Sequence, residues 1–267
     1  MTGTALRVDG LRKTFRTGTR PRRDVVAVDD VSFDVAAGQS VAVAGESGCG
    51  KTTIARIIMG LERPDSGSVR VGDRELATLP RGRRARLRRA RAVQMVFQNP
   101  YGSLDPARSI AECLDYALRL RGHADRGDRA RRGADLLDRV GLGERERMSR
   151  PGVLSGGQLQ RAAIARALCV EPKVLVLDEA TAALDVSIQA QILLMLDEIR
   201  RDVGVSYVFI SHDLAVVEAV CEQILVLRRG SVVEQGRTED VLGDPQHEYT
   251  AMLLDSVPRP GWSPARR

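Results

Sequence analysis

Gly45-Glu46-Ser47-Gly48-Cys49-Gly50-Lys51-Thr52 has the form G-x-x-x-x-G-K-T, and its flanks decide how it is read. Upstream, Ser40-Val41-Ala42-Val43-Ala44 is a short apolar run of buried-strand character. Downstream, Ile54, Ile57, Ile58 and Leu61 recur at helical spacing from Thr52 onward. A strand that enters a glycine-rich turn and leaves as a helix aims its free backbone N–H groups at one point. Gly45, Gly48 and Gly50 permit the positive φ angles this requires, and the helix N-terminus adds partial positive charge. The turn is therefore predicted to cradle phosphate oxygens, with Glu46, Ser47, Cys49 and Thr53 completing it. Lys51 would reach β- and γ-phosphates as a point charge, and the Thr52 hydroxyl would ligate Mg²⁺.

An acidic element matches this basic one. Lys173-Val174-Leu175-Val176-Leu177-Asp178-Glu179 is a continuous apolar strand ending in two carboxylates. In a parallel α/β sheet, ligands sit beyond the carboxyl ends of the strands. Successive side chains point to opposite faces, so Asp178 and Glu179 must do different work. Asp178 is assigned to the Mg²⁺ and its water shell, and Glu179 to orienting and polarising an attacking water.

A third motif, Leu154-Ser155-Gly156-Gly157-Gln158, opens an alanine-rich helix predicted from Gly157 to Leu168. Ser155 is placed to cap it, and the free N–H groups of its first turn form a second anion site.

In this order the motifs resemble those of the ATP-binding-cassette (ABC) ATPases, over nearly the whole chain. Residues 45–52 resemble the Walker A loop, Leu154 to Gln158 the signature, and Leu175 to Glu179 Walker B with its catalytic glutamate. Phe15 stands where the family stacks an aromatic on adenine. Gln98, after the strand Val93-Gln94-Met95-Val96-Phe97, matches the Q-loop glutamine at the metal site. Leu184-Asp185 match the end of the D-loop, and His212 in Ile210-Ser211-His212-Asp213 matches the switch histidine. The resemblance implies an α/β fold: a P-loop NTPase (RecA-like) core with an antiparallel β lobe and an inserted helical subdomain at about 99–153. It implies ATP and Mg²⁺ as cofactors. It also implies a site closed by a second subunit, whose Ser155, Gly156, Gly157 and Gln158 would meet the γ-phosphate. Ala182 departs from the usual D-loop serine and removes one hydroxyl from that interface.

Two stretches narrow the resemblance to the ATPases of oligopeptide, dipeptide and nickel importers. One is Phe97-Gln98-Asn99-Pro100-Tyr101-Gly102-Ser103-Leu104-Asp105-Pro106, supported by Asp185-Val186-Ser187-Ile188-Gln189-Ala190-Gln191. The other is the tail His247-Glu248-Tyr249-Thr250-Ala251-Met252-Leu253-Leu254 with Val257-Pro258. The implied organisation is a nucleotide-binding domain over 1–235 and a C-terminal extension over 236–267. The implied partners are two transmembrane permeases, a second ABC ATPase and an extracellular solute-binding protein, with this chain at the cytoplasmic face of the membrane. No cysteine follows Cys221, which fits a partner subunit without the C-terminal cysteine cluster of some members. A nickel or other small-solute importer is the alternative cargo class. A soluble ABC ATPase acting on ribosomes or DNA is the alternative to transport, but the chain has neither a second cassette nor a long coiled-coil insertion.

Composition agrees with these readings. The chain has 267 residues, enough for one large core, and no apolar run near the ~20 residues that span a bilayer. The start, Met1 to Leu6, lacks the basic-then-apolar pattern of a signal peptide. The net charge of +6 invites nucleic acid, and the densest run is Arg81, Arg83, Arg84, Arg86, Arg88, Arg89 and Arg91. Only 3% of residues are aromatic, leaving few stacking platforms for single strands, so the run is read as a solvated helix face. Cys49, Cys113, Cys169 and Cys221 stand singly, without metal-ligand spacing, and read as reduced thiols. Cys49 lies inside the phosphate loop, so alkylation there is expected to block nucleotide binding and MgATP to protect. The charged stretch Arg121 to Arg132 is expected to be an exposed connector.

Overall fold

Two kinds of hydrophobic pattern build two sheets. The computed structural model describes residues 3–17, 23–76 and 82–256. Alternating apolar residues form a four-stranded antiparallel sheet from β1 (Thr4–Thr17), β2 (Arg23–Ala36), β4 (Ser66–Val71) and β5 (Arg74–Glu75), in the order β2-β1-β4-β5. Leu6 lies opposite Val35 and Val71, and Val8 opposite Phe33 and Val69, so one face is buried over this apolar stretch. The other face is charged, as in the Arg7–Asp34 pair at 2.9 Å. The expected strands near Leu6–Asp9, Val31–Val35 and Ser68–Val71 lie within β1, β2 and β4. β1 and β2 run 14 residues each, well past the apolar cores, because register shifts between Val8 and Thr14 let polar residues keep pairing.

Continuous apolar runs form the second sheet. It contains β3 (Ser40–Ala44), β6 (Val93–Val96), β7 (Val174–Asp178), β8 (Ser206–Ser211), β9 (Gln223–Arg228) and β10 (Ser231–Arg237), in the order β10-β9-β3-β8-β7-β6. All are parallel except the edge strand β10. Every residue of β3 and β8 is buried, as expected of strands covered on both faces. The register aligns the strand ends: Ala44 opposes Ser211, Asp178 opposes Ile210, and Val96 opposes Leu177. The segments beginning at Gly45, Gln98, Glu179 and His212 therefore all leave one edge of the sheet.

Helices cover both faces. α1 (Lys51–Ile58) follows the glycine turn and buries Ile54, Ile57 and Ile58 against the antiparallel lobe. α2 (Arg83–Ala92) leads into β6. Between β6 and the signature lie α3 (Ile110–Arg121), α4 (Arg126–Arg139) and α5 (Glu144–Met148). α6 (Gly156–Leu168), α7 (Val186–Val203) and α8 (Leu214–Val220) pack on the parallel sheet. α9 (Thr238–Gly243) and α10 (Glu248–Asp255) follow β10.

Two readings of charge runs need correction. The connector between α3 and α4 is only 122–125, because Asp125 caps α4 and turns Arg126–Arg132 into its first two turns. Arg129 is buried there, donating to Asp115 at 2.7 Å and to the carbonyls of His123 and Ala124. In the arginine run, α2 does present Arg84, Arg86 and Arg88 to solvent, but Arg89 and Arg91 donate to the Leu76 and Leu120 carbonyls. Burial lowers the pKa of Arg89, with Arg63 adding to the effect. Arg81, Val257 and Pro258 lie outside the described residues. No helix among those described is long and apolar enough to cross a membrane.

Candidate nucleotide site

The glycines of loop 45–52 adopt the positive φ angles their spacing predicts. Gly45, Gly48 and Gly50 have φ of 144°, 82° and 115°. A Cβ on Gly45 would stand 2.3 Å from the Leu227 carbonyl oxygen, and one on Gly50 2.2 Å from that of Ala27. β9 and β2 thus clamp the loop from two sides, while nothing lies within 4 Å of a Cβ on Gly48. Gly230, in the β9–β10 turn, adds a bond from its N–H to the Cys49 carbonyl at 2.9 Å. Glu46, Ser47, Gly48 and Thr52 face solvent, and Thr53 is half-buried.

Lys51 is 4% exposed, and its ammonium donates to the carbonyls of Gly45 at 2.6 Å and Glu46 at 2.8 Å. The charge is held within the loop by acceptors that phosphate oxygens resemble. Cys49 is buried and packs into the apolar core beneath the loop, its Sγ 3.9 Å from the Lys51 ammonium. The thiol is therefore shielded in the folded loop, which the position in sequence did not reveal.

Asp178 ends β7 half-buried, and Glu179 follows in the left-handed region at φ 47°. That conformation is costly for a residue with a Cβ, and it is fixed by the Glu179 N–H donating to the Ile210 carbonyl at 2.9 Å. Burial raises the Asp178 pKa, and the neighbouring Glu179 adds to it, against the opposing charges of Lys51 and Arg56. A cation beside this carboxyl would relieve both effects. The Glu179 side chain turns toward His212, whose Nδ1 lies 3.1 Å from Glu179 Oε1. The turn carrying His212 is held by Ser211, whose hydroxyl accepts the Asp213 N–H, and by Asp213, which caps α8.

The signature segment is built separately. Ser155 Oγ accepts the Gln158 N–H, and the Gln158 side chain returns to the Ser155 N–H, a complete capping box. Glu146 of α5 fixes Gln158 further at 3.2 Å, a partner that no sequence signal marked. A Cβ on Gly157 would lie 2.6 Å from Ile188 Cγ2, so α6 and α7 touch only because this residue is glycine. Ser155 and Gly156 are exposed. Among the described residues, no hydrogen bond joins this segment to loop 45–52.

The remaining candidates lie at the periphery. Gln98 is exposed just beyond β6, next to Phe97 at 41% exposure. Asp185 and Ala182 are exposed before α7, in a turn where Leu184 N–H donates to the Thr181 carbonyl. Phe15 is half-buried on β1 opposite Val25, with the Lys13 ammonium 5.1 Å from its ring centre. β2, which supplies Val25, also supplies the Ala27 carbonyl under Gly50.

The residues fit a Mg²⁺-nucleoside triphosphate. The loop is an open cradle at Gly48, with the buried Lys51 below and Asp178 close enough to feel its charge. Among the described residues no cluster of three or more His, Cys, Asp or Glu could cage a metal alone. A hydroxyl, one carboxylate and substrate phosphates are the donor set that suits Mg²⁺.

Fold and site together define a P-loop nucleoside triphosphatase core carrying a separate, capped Ser-Gly-Gly helix. The ABC transporter family profile matches residues 28–182, and the chain belongs to that family. A second profile, for the oligopeptide/dipeptide transporter C-terminal region, matches 233–266. The oligopeptide transport ATP-binding protein OppD of Mycobacterium tuberculosis is 45% identical over 98% of this chain and 43% of its own length. The dipeptide transport ATP-binding protein DppF of Escherichia coli is 39% identical over 90% of this chain and 71% of its own. The E. coli glutathione import ATP-binding protein GsiA is 43% identical over 95% and 41%. The chain thus spans less than half the length of OppD and GsiA. Among solved structures, a dimeric ATP-binding cassette in a post-hydrolysis state with ADP and Pi superposes with a TM-score of 0.78. It is 29% identical and covers 87% of this chain and 98% of that one.

Proposed function

We propose that the chain is the ATP-hydrolysing subunit of an ABC importer that drives peptide uptake through separate permeases. The match of its C-terminal region, 233–266, to the oligopeptide/dipeptide transporter profile carries the cargo class. The proposed division is a nucleotide-binding domain over 1–235, with a helical subdomain at 99–153, and a C-terminal extension from 236. The partners are two permeases, a second ABC ATPase and an extracellular solute-binding protein, and the chain works at the cytoplasmic face of the membrane.

In the mechanism, loop 45–52 and Lys51 hold the β- and γ-phosphates, while Phe15 stacks on the base. Thr52, Gln98 and Asp178 would hold Mg²⁺, which neutralises phosphate charge when bound. The Glu179 carboxylate, fixed by its strained backbone and by His212, orients the attacking water and takes up its proton. His212, beside the same carboxylate, would contact the γ-phosphate. Ser155, Gly156, Gly157, Gln158 and Asp185 act on the ATP of the second subunit. The exposure of Ser155, Gly156 and Asp185, and the lack among the described residues of a hydrogen bond from the signature segment to the loop of its own chain, favour that division of labour.

A pull-down from native membranes tests this reading. Tagged Glu179→Gln, trapped with ATP, is expected to recover two polytopic permeases and a second ATPase. Recovery of ribosomes or DNA without membrane protein would contradict it.

A further inference from the structure

The phosphate loop is held by a residue from the other end of the chain. Tyr249 lies 203 positions after Glu46, yet its hydroxyl accepts the Glu46 backbone N–H at 3.3 Å. Among the described residues, this is the only side-chain hydrogen bond that reaches loop 45–52 from outside it. The tyrosine is 3% exposed, and the Arg228 guanidinium lies 4.9 Å from its ring centre.

The mount of this tyrosine is itself specified. Glu234 of β10 accepts the N–H groups of Gln246 and His247 at 2.8 and 3.2 Å, seating the start of α10. His247 Nδ1 then accepts the Tyr249 N–H at 3.0 Å, capping the helix. Arg228 ends the strand whose Leu227 carbonyl already crowds Gly45. The Gly45–Glu46 peptide is thus gripped by β9 and α10 together.

We propose that Tyr249 is a positioning residue for the phosphate loop, through which the C-terminal region sets how tightly nucleotide is held. This rests on the nucleotide-site reading above. A loop with three positive-φ glycines has few intrinsic restraints, so ordering it on binding costs free energy. The Tyr249 hydroxyl fixes the first peptide plane of the turn before nucleotide arrives. It touches no reacting atom, so it acts alike on ground state and transition state.

The test uses the full chain and its Tyr249→Phe variant, which keeps the ring and its packing. Calorimetric titration with ADP is expected to show about fivefold weaker binding, the size of one net hydrogen bond. In the hydrolysing complex the KM for MgATP should rise by the same factor with kcat unchanged. Glu234→Gln, which loosens the seat of α10 and leaves the tyrosine intact, should weaken ADP binding in the same direction. Wild-type ADP affinity in both variants, with thermal midpoints intact, would overturn the proposal and leave Tyr249 a packing residue. If wild type and Lys51→Ala bind ADP alike, the nucleotide-site reading itself fails, whatever Tyr249 does.

Discussion

His212 Nδ1 lies 3.1 Å from Glu179 Oε1, although the residues are 33 positions apart and leave different strands. The contact exists because β7 and β8 are parallel neighbours in register, and because Glu179 takes a left-handed backbone that swings its carboxylate across. Strain at that position is tolerated where a side chain must be aimed.

Replacing Glu179 by Gln keeps the shape and removes the proposed proton acceptor. ATP turnover in the proposed transporter complex is expected to fall about 10²- to 10⁴-fold, with ATP affinity retained. His212→Ala should cost less, since it removes the partner and leaves the carboxylate. Steady-state hydrolysis together with nucleotide titration separates these effects. An unchanged rate in Glu179→Gln would remove it from the mechanism.

Gly157→Ala drives a Cβ to 2.6 Å from Ile188 Cγ2, so α6 and α7 must part. The expected loss is about 1–3 kcal/mol of stability, from overpacking. Adding Ile188→Ala should recover much of it, a coupling that a double-mutant cycle in urea measures. Additive losses would mean that the helices do not meet there.

The four cysteines are buried, and burial pushes the Cys169 thiol up to about 12. The folded state therefore keeps its proton while an unfolded thiol loses its own above pH ~8.5. Stability from this group is complete below that pH and is lost as pH rises toward about 12. Melting curves should show Cys169→Ala declining less steeply than wild type over this alkaline window. Native protein at pH 8 should resist iodoacetamide at all four positions, Cys49 included, until denaturant is added. Rapid native labelling at Cys49 would show that the loop opens.

Much of this was legible because the informative residues are local. The turn Gly45 to Thr52, the apolar strand before Asp178 and the Ser155 cap each specify geometry within a few residues. What sequence did not reveal depends on distant pairing. β1 and β2 are lengthened by cross-strand bonds that polar residues support as well as apolar ones. Arg129 reads as solvated until Asp125 is seen to start a helix that turns it onto Asp115. Tyr249 and Glu146 touch the candidate motifs from other elements, at separations of 203 and 12 residues, and no spacing rule points to them.

ATP-dependent association of Glu179→Gln tests most directly the proposed composite site shared by two chains. In light scattering, the variant with the proposed second ATPase, or with itself, should pass from monomer to dimer on adding MgATP. Lys51→Ala in the same background should remain monomeric, as should Ser155→Arg, which fills the exposed signature turn. A Glu179→Gln protein that binds ATP tightly yet stays monomeric with every candidate partner would contradict the shared site.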